Sequence, residues 1–177
     1  ASTSENKEIE KRVAITPEIT KKYINLGFQI QLIENYGTHI GFDDSQFKNA
    51  GAKIISDEKE LLNNSNIVVQ LGLLKDSQRS MMKEHQTLIG TFNVYQNKAE
   101  IKNFSSKNIN VFSLELLPRI TRAQSMDILS SQANLSGYKA VIESFAFFEK
   151  AIPMMMTAAG TVPAAKVLVV GAGVAGL

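Results

Sequence analysis

Polar residues recur at three- and four-residue spacing in the stretch RITRAQSMDILSSQANLSGY, namely Asp127, Ser130, Ser131, Asn134 and Tyr138. In a helix this spacing places all of them on one face. The face offers many hydrogen-bonding groups and little charge, whereas a solvent-facing surface normally carries Lys and Glu. These residue types fit helix packing through small side chains and a ligand-binding surface equally well.

Other residues in the same stretch have ordinary structural interpretations. Thr121 and Gln124 are spaced as a capping box, and Asp127 lies early in the predicted helix, where a carboxylate interacts favourably with the helix dipole. The opposite side of the helix is predicted to be core, with Met126, Leu129, Ala133, Ala140 and Val141.

Glycines follow an apolar run at the end of the chain, in VLVVGAGVAGL. In a dinucleotide-binding turn, Gly171 would allow the tight bend, Gly173 would let the backbone approach a pyrophosphate, and Gly176 would let a following helix pack on the strand. The helix N-terminus would supply amide donors for the phosphates. The alternative is a glycine turn of purely structural use. The acidic residue expected about 20 residues later, which reads the ribose, lies outside the sequence.

Apolar runs alternate with amphipathic segments along residues 17–117. The first helix is predicted in TPEITKKYINLG, where Thr16 caps it, Pro17 takes the first helical position and Gly27 ends it. Strands are predicted in FQIQLIE, AKIIS, NIVVQLGLL, QTLIGTF and INVFSLELL, with helices in DDSQFKNAG, DEKELLNN, SQRSMMKE and NKAEIKNFSSK. This repetition predicts an α/β domain with a doubly wound parallel sheet. No strand precedes the first helix, so we expect a few N-terminal residues to be missing.

The alternation of short apolar runs and amphipathic segments ends at Pro118. A single helix from Thr121 to Ile152 would be about 48 Å long at 1.5 Å per residue, long enough to bridge two domains. A loop of small residues and the strand KVLVV follow it. We therefore predict an N-terminal Rossmann-like domain over 1–120, an interdomain helix over 121–152, and the first strand and glycine turn of a second Rossmann domain over 153–177.

Composition excludes several classes of protein. The 177 residues are 44% hydrophobic, which indicates a globular chain with room for one domain and a piece of another. No uninterrupted apolar stretch of about 18 residues predicts a transmembrane helix, and ASTSENKEIEKR is not a signal peptide. The absence of cysteine excludes disulfides and thiolate chemistry, and we assign no metal site. The net charge of +2, without a basic stripe, argues against nucleic-acid binding.

The stretches PRITRAQSMDILSSQANLSGYKAV and TAAGTVPAAKVLVVGAGVAGL resemble the NAD(H)-binding component of proton-translocating nicotinamide nucleotide transhydrogenases. EKRVAITPE and GTHIGFDD resemble motifs shared with alanine dehydrogenases, which are relatives of that component. The resemblance covers nearly the whole chain, and the helix motif is specific to the transhydrogenase branch. It implies two Rossmann-like domains with NAD(H) in the cleft between them.

The resemblance also implies the site residues. Arg119 would hold the carboxamide or the pyrophosphate region, and Gln124 would lie near the nicotinamide and help to place the partner ring. Asp127 and Ser130 would fix the carboxamide, and so the ring face that gives up hydride. With Gly171, Gly173 and Gly176, these complete the predicted cofactor-binding set.

Oxidation of a free amino acid, the reaction of the alanine dehydrogenase branch, needs a cation that binds the substrate carboxylate and a general base that moves a proton. The relatives that oxidise alanine have a lysine in the third strand and a histidine after the fourth, where this chain has Gln70 and Tyr95. Arg12 matches a carboxylate-binding residue of those enzymes, and His39 and His85 are predicted to be loop or surface residues. Direct hydride transfer between two nicotinamides needs no acid or base, only orientation and exclusion of water. We therefore assign no acid/base catalyst.

Three functional hypotheses follow. The first is a transhydrogenase component that passes hydride between NADH and NADP+ held on a partner domain, coupled in the family to proton translocation through a membrane domain. The second is an alanine-dehydrogenase-like amino-acid oxidoreductase, and the third is a non-catalytic binding module. For the first, the resemblance implies a cytoplasmic location, peripheral to the inner membrane through partner subunits.

We also expect the native chain to continue past Leu177. On its own, KVLVV would have no sheet to join, half of the cleft would be absent, and this fragment would be inactive. Exposed Phe145, Phe147 and Phe148 would then favour self-association, and we predict a homodimer.

Overall fold

The computed structural model describes residues 1–177, which form two compact units, Ala1–Leu117 and Pro118–Leu177. The first unit alternates helices and strands: α1 (Pro17–Asn25), β1 (Gln31–Ile33), α2 (Asp44–Asn49), β2 (Lys53–Ile55), α3 (Glu58–Asn63), β3 (Ile67–Gln70), α4 (Asp76–Met81), β4 (Thr87–Gly90), α5 (Lys98–Ser106) and β5 (Asn110–Ser113). The second unit contains α6 (Ile128–Phe147), β6 (Met155–Thr157) and β7 (Gly160–Val162). Short 3-10 helices cover Thr38–Ile40, Leu114–Leu116 and Thr121–Met126.

All strands of the first unit pair in parallel. β1 pairs with β2, and β4 lies between β3 and β5. The residues 1–3 join these two sets: the amide of Ser2 donates to the carbonyl of Gln31 at 3.2 Å, and Val69 donates to the carbonyl of Ala1 at 2.8 Å. The N-terminal segment thus takes the central strand position.

With this segment counted as the first strand, the order across the first unit is β2, β1, residues 1–3, β3, β4, β5. This is the 3-2-1-4-5-6 order of dinucleotide-binding folds. The predicted doubly wound parallel sheet is confirmed. The expectation that the first strand lies in missing residues is corrected, because residues 1–3 already fill the central place.

The local signals in the sequence explain the helices of the first unit. Thr16 accepts from the amide of Ile19, Pro17 is the first helical residue of α1, and Gly27 adopts φ 91° just beyond its end, all as predicted. α2 begins with a capping box between Asp43 and Gln46. Two buried clusters fill the unit, one around Leu32, Phe47 and Leu61 and the other around Leu62, Leu88 and Phe104.

The predicted helix over residues 121–152 is shorter in the structure. Residues Thr121–Met126 form a 3-10 helix without a side-chain cap, Asp127 interrupts the helical path with ψ 88°, and α6 runs for 20 residues, about 30 Å. Asp127 ends one helix and caps the next, so Thr121 and Gln124 do not form a capping box. No residue of α6 is buried, and Leu129 and Val141 on its predicted core side are exposed.

The remainder of the second unit also differs from expectation. The predicted loop of small residues contains an antiparallel hairpin, β6–β7, which turns through Gly160 at φ 134°. The run KVLVV is not a strand, because no strand of this unit pairs with it, and Leu168 and Val170 are almost fully exposed. Phe145, Phe147 and Phe148 are exposed as predicted. None of the helices is long and apolar enough to cross a membrane.

Candidate functional site

Asp127 and Ser130 form a compact polar pair at the start of α6. One carboxylate oxygen of Asp127 accepts from the Ser130 amide at 3.0 Å, and the other accepts from the Ser130 hydroxyl at 2.6 Å. Asp127 is therefore the N-cap of the helix. A carboxylate has about four acceptor positions, so this arrangement leaves Asp127 able to accept further hydrogen bonds.

The pair is held in its ionised form. The hydroxyl and the amide of Ser130, together with the positive charge of Arg119, hold the pKa of Asp127 below its usual range. Since the Ser130 hydroxyl donates to Asp127, the Ser130 oxygen is left as an acceptor. The pair therefore presents acceptors to a ligand that has N–H donors, such as the amide nitrogen of a carboxamide.

Arg119 and Gln124 lie in the segment that leads to this pair. Both are exposed, and the attraction between Arg119 and Asp127 is electrostatic. The backbone carbonyl of Gln124 accepts from the Asp127 amide at 3.3 Å. Ala123 is buried and anchors the 3-10 helix that carries Gln124. The structure thus brings together Asp127 and Ser130, with Arg119 acting on Asp127 through its charge, while the Gln124 side chain is exposed to solvent.

The predicted glycines form a turn. Gly171 adopts φ 109°, a left-handed conformation that favours glycine, and the carbonyl of Gly173 accepts from the amides of Gly176 and Leu177. A Cβ on Gly176 would overlap the carbonyl oxygen of Gly171, whereas a Cβ on Gly173 would meet nothing within 4 Å. The turn therefore requires glycine at positions 171 and 176. The space beside Gly173 is empty, so a ligand can approach the backbone there.

The glycine turn contacts α6. A Cβ added to Gly137 would overlap the backbone of Ala175, so the turn packs against the helix where α6 has no side chain. Gly137 lies ten residues beyond Asp127, which is about 15 Å along the helix axis. The glycine turn therefore packs on α6 well away from the Asp127–Ser130 pair, within the same unit.

The first unit has its own crevice at the point where the strand order reverses, between residues 1–3 and β3. Ligands of open α/β sheets bind outside the carboxyl ends of the strands at such a point. Here Glu5 fills it: its carboxylate accepts from the amide of Leu71 at 2.5 Å and from that of Gly72 at 3.2 Å. Burial raises the pKa of Glu5 in spite of these donors. The crevice is occupied by the protein's own side chain.

A buried polar network extends from this crevice. Gln70 is 2% exposed, its amide nitrogen donates to the carbonyl of Thr3 at 3.3 Å, and its side-chain oxygen lies 3.4 Å from the Ser2 hydroxyl. The Tyr36 oxygen lies 2.9 Å from the same hydroxyl and accepts from the amides of Ala14 and Ile15. The hydrogen bonds of Gln70 are thus committed to the fold.

The remaining residues considered for acid/base chemistry are not arranged for it. Arg12 pairs with both carboxylate oxygens of Glu10, at 2.8 and 2.7 Å, and this holds the pKa of Glu10 below its usual range. His39 and His85 are exposed, as predicted, and Tyr95 is 76% exposed in the loop after β4. No cluster of His, Asp and Glu is arranged to hold a metal ion.

Sequence reasoning missed Glu5, Tyr36 and Glu115. Each is fixed by partners distant in the sequence, such as Leu71 for Glu5, so spacing along the chain gave no signal. The polar alternation in ASTSENKE, next to the place of an expected first strand, could have drawn attention to Glu5.

Comparison with known families gives two matches. The model described as "Alanine dehydrogenase/PNT, N-terminal domain" matches residues 2–136, and the corresponding C-terminal domain model matches residues 140–177.

Named relatives fall in both branches of that family. The chain is 42% identical over 182 residues to an NAD(P) transhydrogenase subunit alpha protein of Rhodospirillum rubrum, with all of this chain and 47% of the relative covered. It is 42% identical over 170 residues to NAD(P) transhydrogenase subunit alpha of Haemophilus influenzae, covering 96% of this chain and 33% of the relative. Alanine dehydrogenase 1 of Staphylococcus aureus is 23% identical over 142 residues, which cover 80% of this chain and 37% of the enzyme.

Solved structures of both branches are similar to this chain. A transhydrogenase from Sinorhizobium meliloti superposes with a TM-score of 0.90 at 38% identity, covering 99% of this chain and 53% of the other. An L-alanine dehydrogenase superposes with a TM-score of 0.73 at 19% identity, covering 83% and 40%, which shows a shared fold. The chain spans about half the length of the relatives it matches, or less.

Proposed function

The chain belongs to the alanine dehydrogenase/PNT family, and from this premise we propose that it is the NAD(H)-binding part of a transhydrogenase. It would pass hydride between NADH and NADP+ bound on a partner domain. The observation that carries the proposal is the half-buried Asp127–Ser130 pair, whose carboxylate feels the charge of Arg119 and which has no acid/base catalyst with it. Identities near 40% with transhydrogenase subunits, against 23% with an alanine dehydrogenase, support the same branch.

In this proposal the acceptors of Asp127 and Ser130 bind the amide nitrogen of the nicotinamide carboxamide. Because both present acceptors, the donor for the carboxamide oxygen has to come from elsewhere, and the Arg119 guanidinium is suited to this. Gln124, exposed on the preceding 3-10 helix, would help to place the partner ring. Gly171 and Gly173 would let the backbone approach the pyrophosphate, whereas Gly176, whose amide donates to the carbonyl of Gly173, would allow close packing.

A nicotinamide bound in this way supplies the hydride, so the residues of this chain have only to orient it and exclude water. An acid/base catalyst is unnecessary for this step. The commitment of Gln70 to Thr3 and Ser2, and of Arg12 to Glu10, supports the proposal over oxidation of a free amino acid, which needs a group that moves a proton.

We further propose the partners, the location and the oligomeric state of the protein. The partners would be an NADP-binding domain and a membrane domain, with proton translocation through the latter, and the chain would lie on the cytoplasmic side of the inner membrane. Residues 153–177 would begin the NAD-binding Rossmann domain, a proposal supported by the C-terminal family match over residues 140–177. The exposed phenylalanines after Ser144 support a homodimer, which light scattering at several concentrations would test.

The experiment that tests the site measures NADH affinity by fluorescence titration of the full-length gene product. Arg119→Ala and Ser130→Ala are each expected to raise Kd about tenfold, the effect of about 1.4 kcal/mol, which is the size of one net hydrogen bond to a charged or well-placed group. Arg122→Ala and Ser131→Ala are matched controls, because Arg122 is exposed on the 3-10 helix that follows Arg119 and Ser131 donates to the carbonyl of Ile128.

Equal effects of the site variants and their controls would contradict the site assignment. Oxidation of NADH that depends on pyruvate and ammonia would instead favour the amino-acid oxidoreductase. Hydride transfer to an NADP+ analogue in the presence of the NADP-binding partner would support the transhydrogenase.

A further inference from the structure

The glycine turn of residues 171–177 is seated on α6 at one residue, Gly137. A Cβ added to Gly137 would overlap the carbonyl oxygen of Ala175 and would lie 2.9 Å from its carbonyl carbon and 3.1 Å from its Cα. All three are backbone atoms, which cannot move aside as the end of a flexible side chain can. Helix and turn therefore approach this closely because residue 137 is glycine.

The turn lies on the side of α6 that carries the Asp127–Ser130 pair. Beyond Ile128, the half-buried residues of α6 are Ser130, Ala133 and Gly137, and its other residues are exposed. Spacings of three and four residues place these three positions on one face of the helix. The hydroxyl that donates to Asp127 and the backbone that receives the turn thus belong to the same face, within one unit of the chain.

The helix sets the separation between the pair and the turn. Ser130 and Gly137 are seven residues apart, which is close to two helical turns and about 10 Å along the axis. The turn is closed by its own hydrogen bonds, because the carbonyl of Gly173 accepts from the amides of Gly176 at 2.9 Å and Leu177 at 3.1 Å. Once the turn is seated at Gly137, its distance from Ser130 is therefore fixed.

We infer that Gly137 is a positioning residue of the proposed dinucleotide site. It sets the separation between the turn, which would approach the pyrophosphate, and the Asp127–Ser130 pair, which would bind the carboxamide of the nicotinamide. A site preset to this separation does not have to rearrange when a dinucleotide binds, which preserves affinity and orientation. The inference rests on the proposed function for what binds at the two ends, but not for the contact between Gly137 and Ala175.

The test compares two ligands of the full-length gene product. NADH has both the pyrophosphate and the nicotinamide, whereas ADP-ribose has the pyrophosphate and no nicotinamide. Gly137→Ala is expected to raise the Kd for NADH about tenfold, the effect of losing one net hydrogen bond to a charged group, because a displaced turn no longer presents the carboxamide to the pair. The Kd for ADP-ribose, measured by calorimetry, should change less than about twofold, since this ligand does not reach the pair.

Hydrogen exchange tests the contact at Gly137 without a ligand. In Gly137→Ala the added Cβ displaces Ala175, so exchange of the Gly176 and Leu177 amides is expected to rise about tenfold, as for the loss of a hydrogen bond. The variant should fold, because alanine is a better helix former than glycine and no residue of α6 is buried. Unchanged affinity for ADP-ribose would show directly that it has folded.

Ser136→Ala is the matched control. Ser136 precedes Gly137 on α6 and is exposed, and its replacement by alanine also raises helix propensity. The control should leave both dissociation constants and the exchange of Gly176 and Leu177 unchanged. This contrast separates the contact at Gly137 from a general effect on the helix.

Equal losses of affinity for NADH and ADP-ribose in Gly137→Ala would overturn the inference, because general damage to the unit affects both ligands. Unchanged affinity for NADH, or unchanged exchange at Gly176 and Leu177, would overturn it too. If the wild-type protein did not bind NADH, the proposed function would fail, and the exchange data would still decide whether Gly137 seats the turn.

Discussion

Tyr36→Phe removes one oxygen atom from the most connected buried hydroxyl in the first unit. Tyr36 is 1% exposed, and its oxygen accepts from the amide of Ala14 at 2.9 Å and from that of Ile15 at 3.2 Å. The Ser2 hydroxyl lies 2.9 Å away on the other side. The phenylalanine ring fills the same space, so the variant isolates the hydrogen bonds from the packing.

The expected loss of stability depends on whether each group that bonds the Tyr36 oxygen can find another partner in the variant. Ile15 is 1% exposed, so its amide is left without an acceptor, at a cost of about 1–3 kcal/mol. The amide of Ala14 lies at a half-buried residue and regains part of its bonding from water. The Ser2 hydroxyl can still donate to Gln70. We therefore expect the free energy of unfolding to fall by about 2–4 kcal/mol, a large share of the ~5–15 kcal/mol typical of a domain.

Urea unfolding followed by far-ultraviolet circular dichroism measures this loss, and the slope m should stay unchanged. Tyr23→Phe is the control, since Tyr23 is half-buried and packs edge-to-face on Phe28 with ring centroids 6.1 Å apart. Its expected change is below about 0.5 kcal/mol, as for substitutions that touch no buried partner. A loss below about 1 kcal/mol in Tyr36→Phe, or equal losses in the two variants, would refute the reasoning.

Two further predictions concern Glu5 and Gly90, which lie at the carboxyl ends of the strands. Burial raises the pKa of Glu5, so the folded state holds its proton to higher pH than the unfolded chain does; the stability of wild type relative to Glu5→Gln should therefore fall as pH rises from 4.5, and a difference that is constant with pH would contradict this. Gly90→Ala should lower the free energy of unfolding by about 2–3 kcal/mol in urea, because its Cβ would overlap the carbonyl oxygen of Gln70 and lie 2.7 Å from Phe92. Gly72→Ala is its control, with the nearest atom at 3.5 Å.

The elements of the first unit could be predicted because their signals are local. Thr16, Pro17 and Gly27 bound α1 by backbone chemistry within a few residues, and the apolar runs identified the strands. Strand ends were less predictable. NIVVQLGLL reads as one apolar strand, but β3 stops at Gln70, since Glu5 takes the next two amides. That competitor lies 66 residues away in the sequence.

The second unit shows why helix boundaries are difficult to predict. Thr121 with Gln124 and Asp127 with Ser130 are both spaced to cap a helix, and the sequence does not rank them. The structure favours Asp127, whose carboxylate engages both the amide and the hydroxyl of Ser130, whereas the 3-10 helix from Thr121 has no side-chain cap. Choosing the wrong cap added about two turns to the start of the predicted helix.

The positions of Glu5 and Glu115 bear on where a dinucleotide can bind. In dinucleotide-binding folds, backbone amides at the carboxyl edge of the sheet are free to face phosphates. In the first unit, two sets of such amides are already bound by carboxylates, Leu71 and Gly72 by Glu5, and Phe92 and Val94 by Glu115. A phosphate at either of these loops would have to displace the bound carboxylate and would be repelled by its negative charge. The strand order of the first unit is that of a nucleotide-binding domain, but these two loops at its carboxyl edge are already bound by carboxylates, and this supports the proposal of a pyrophosphate site at the glycine turn at Gly171.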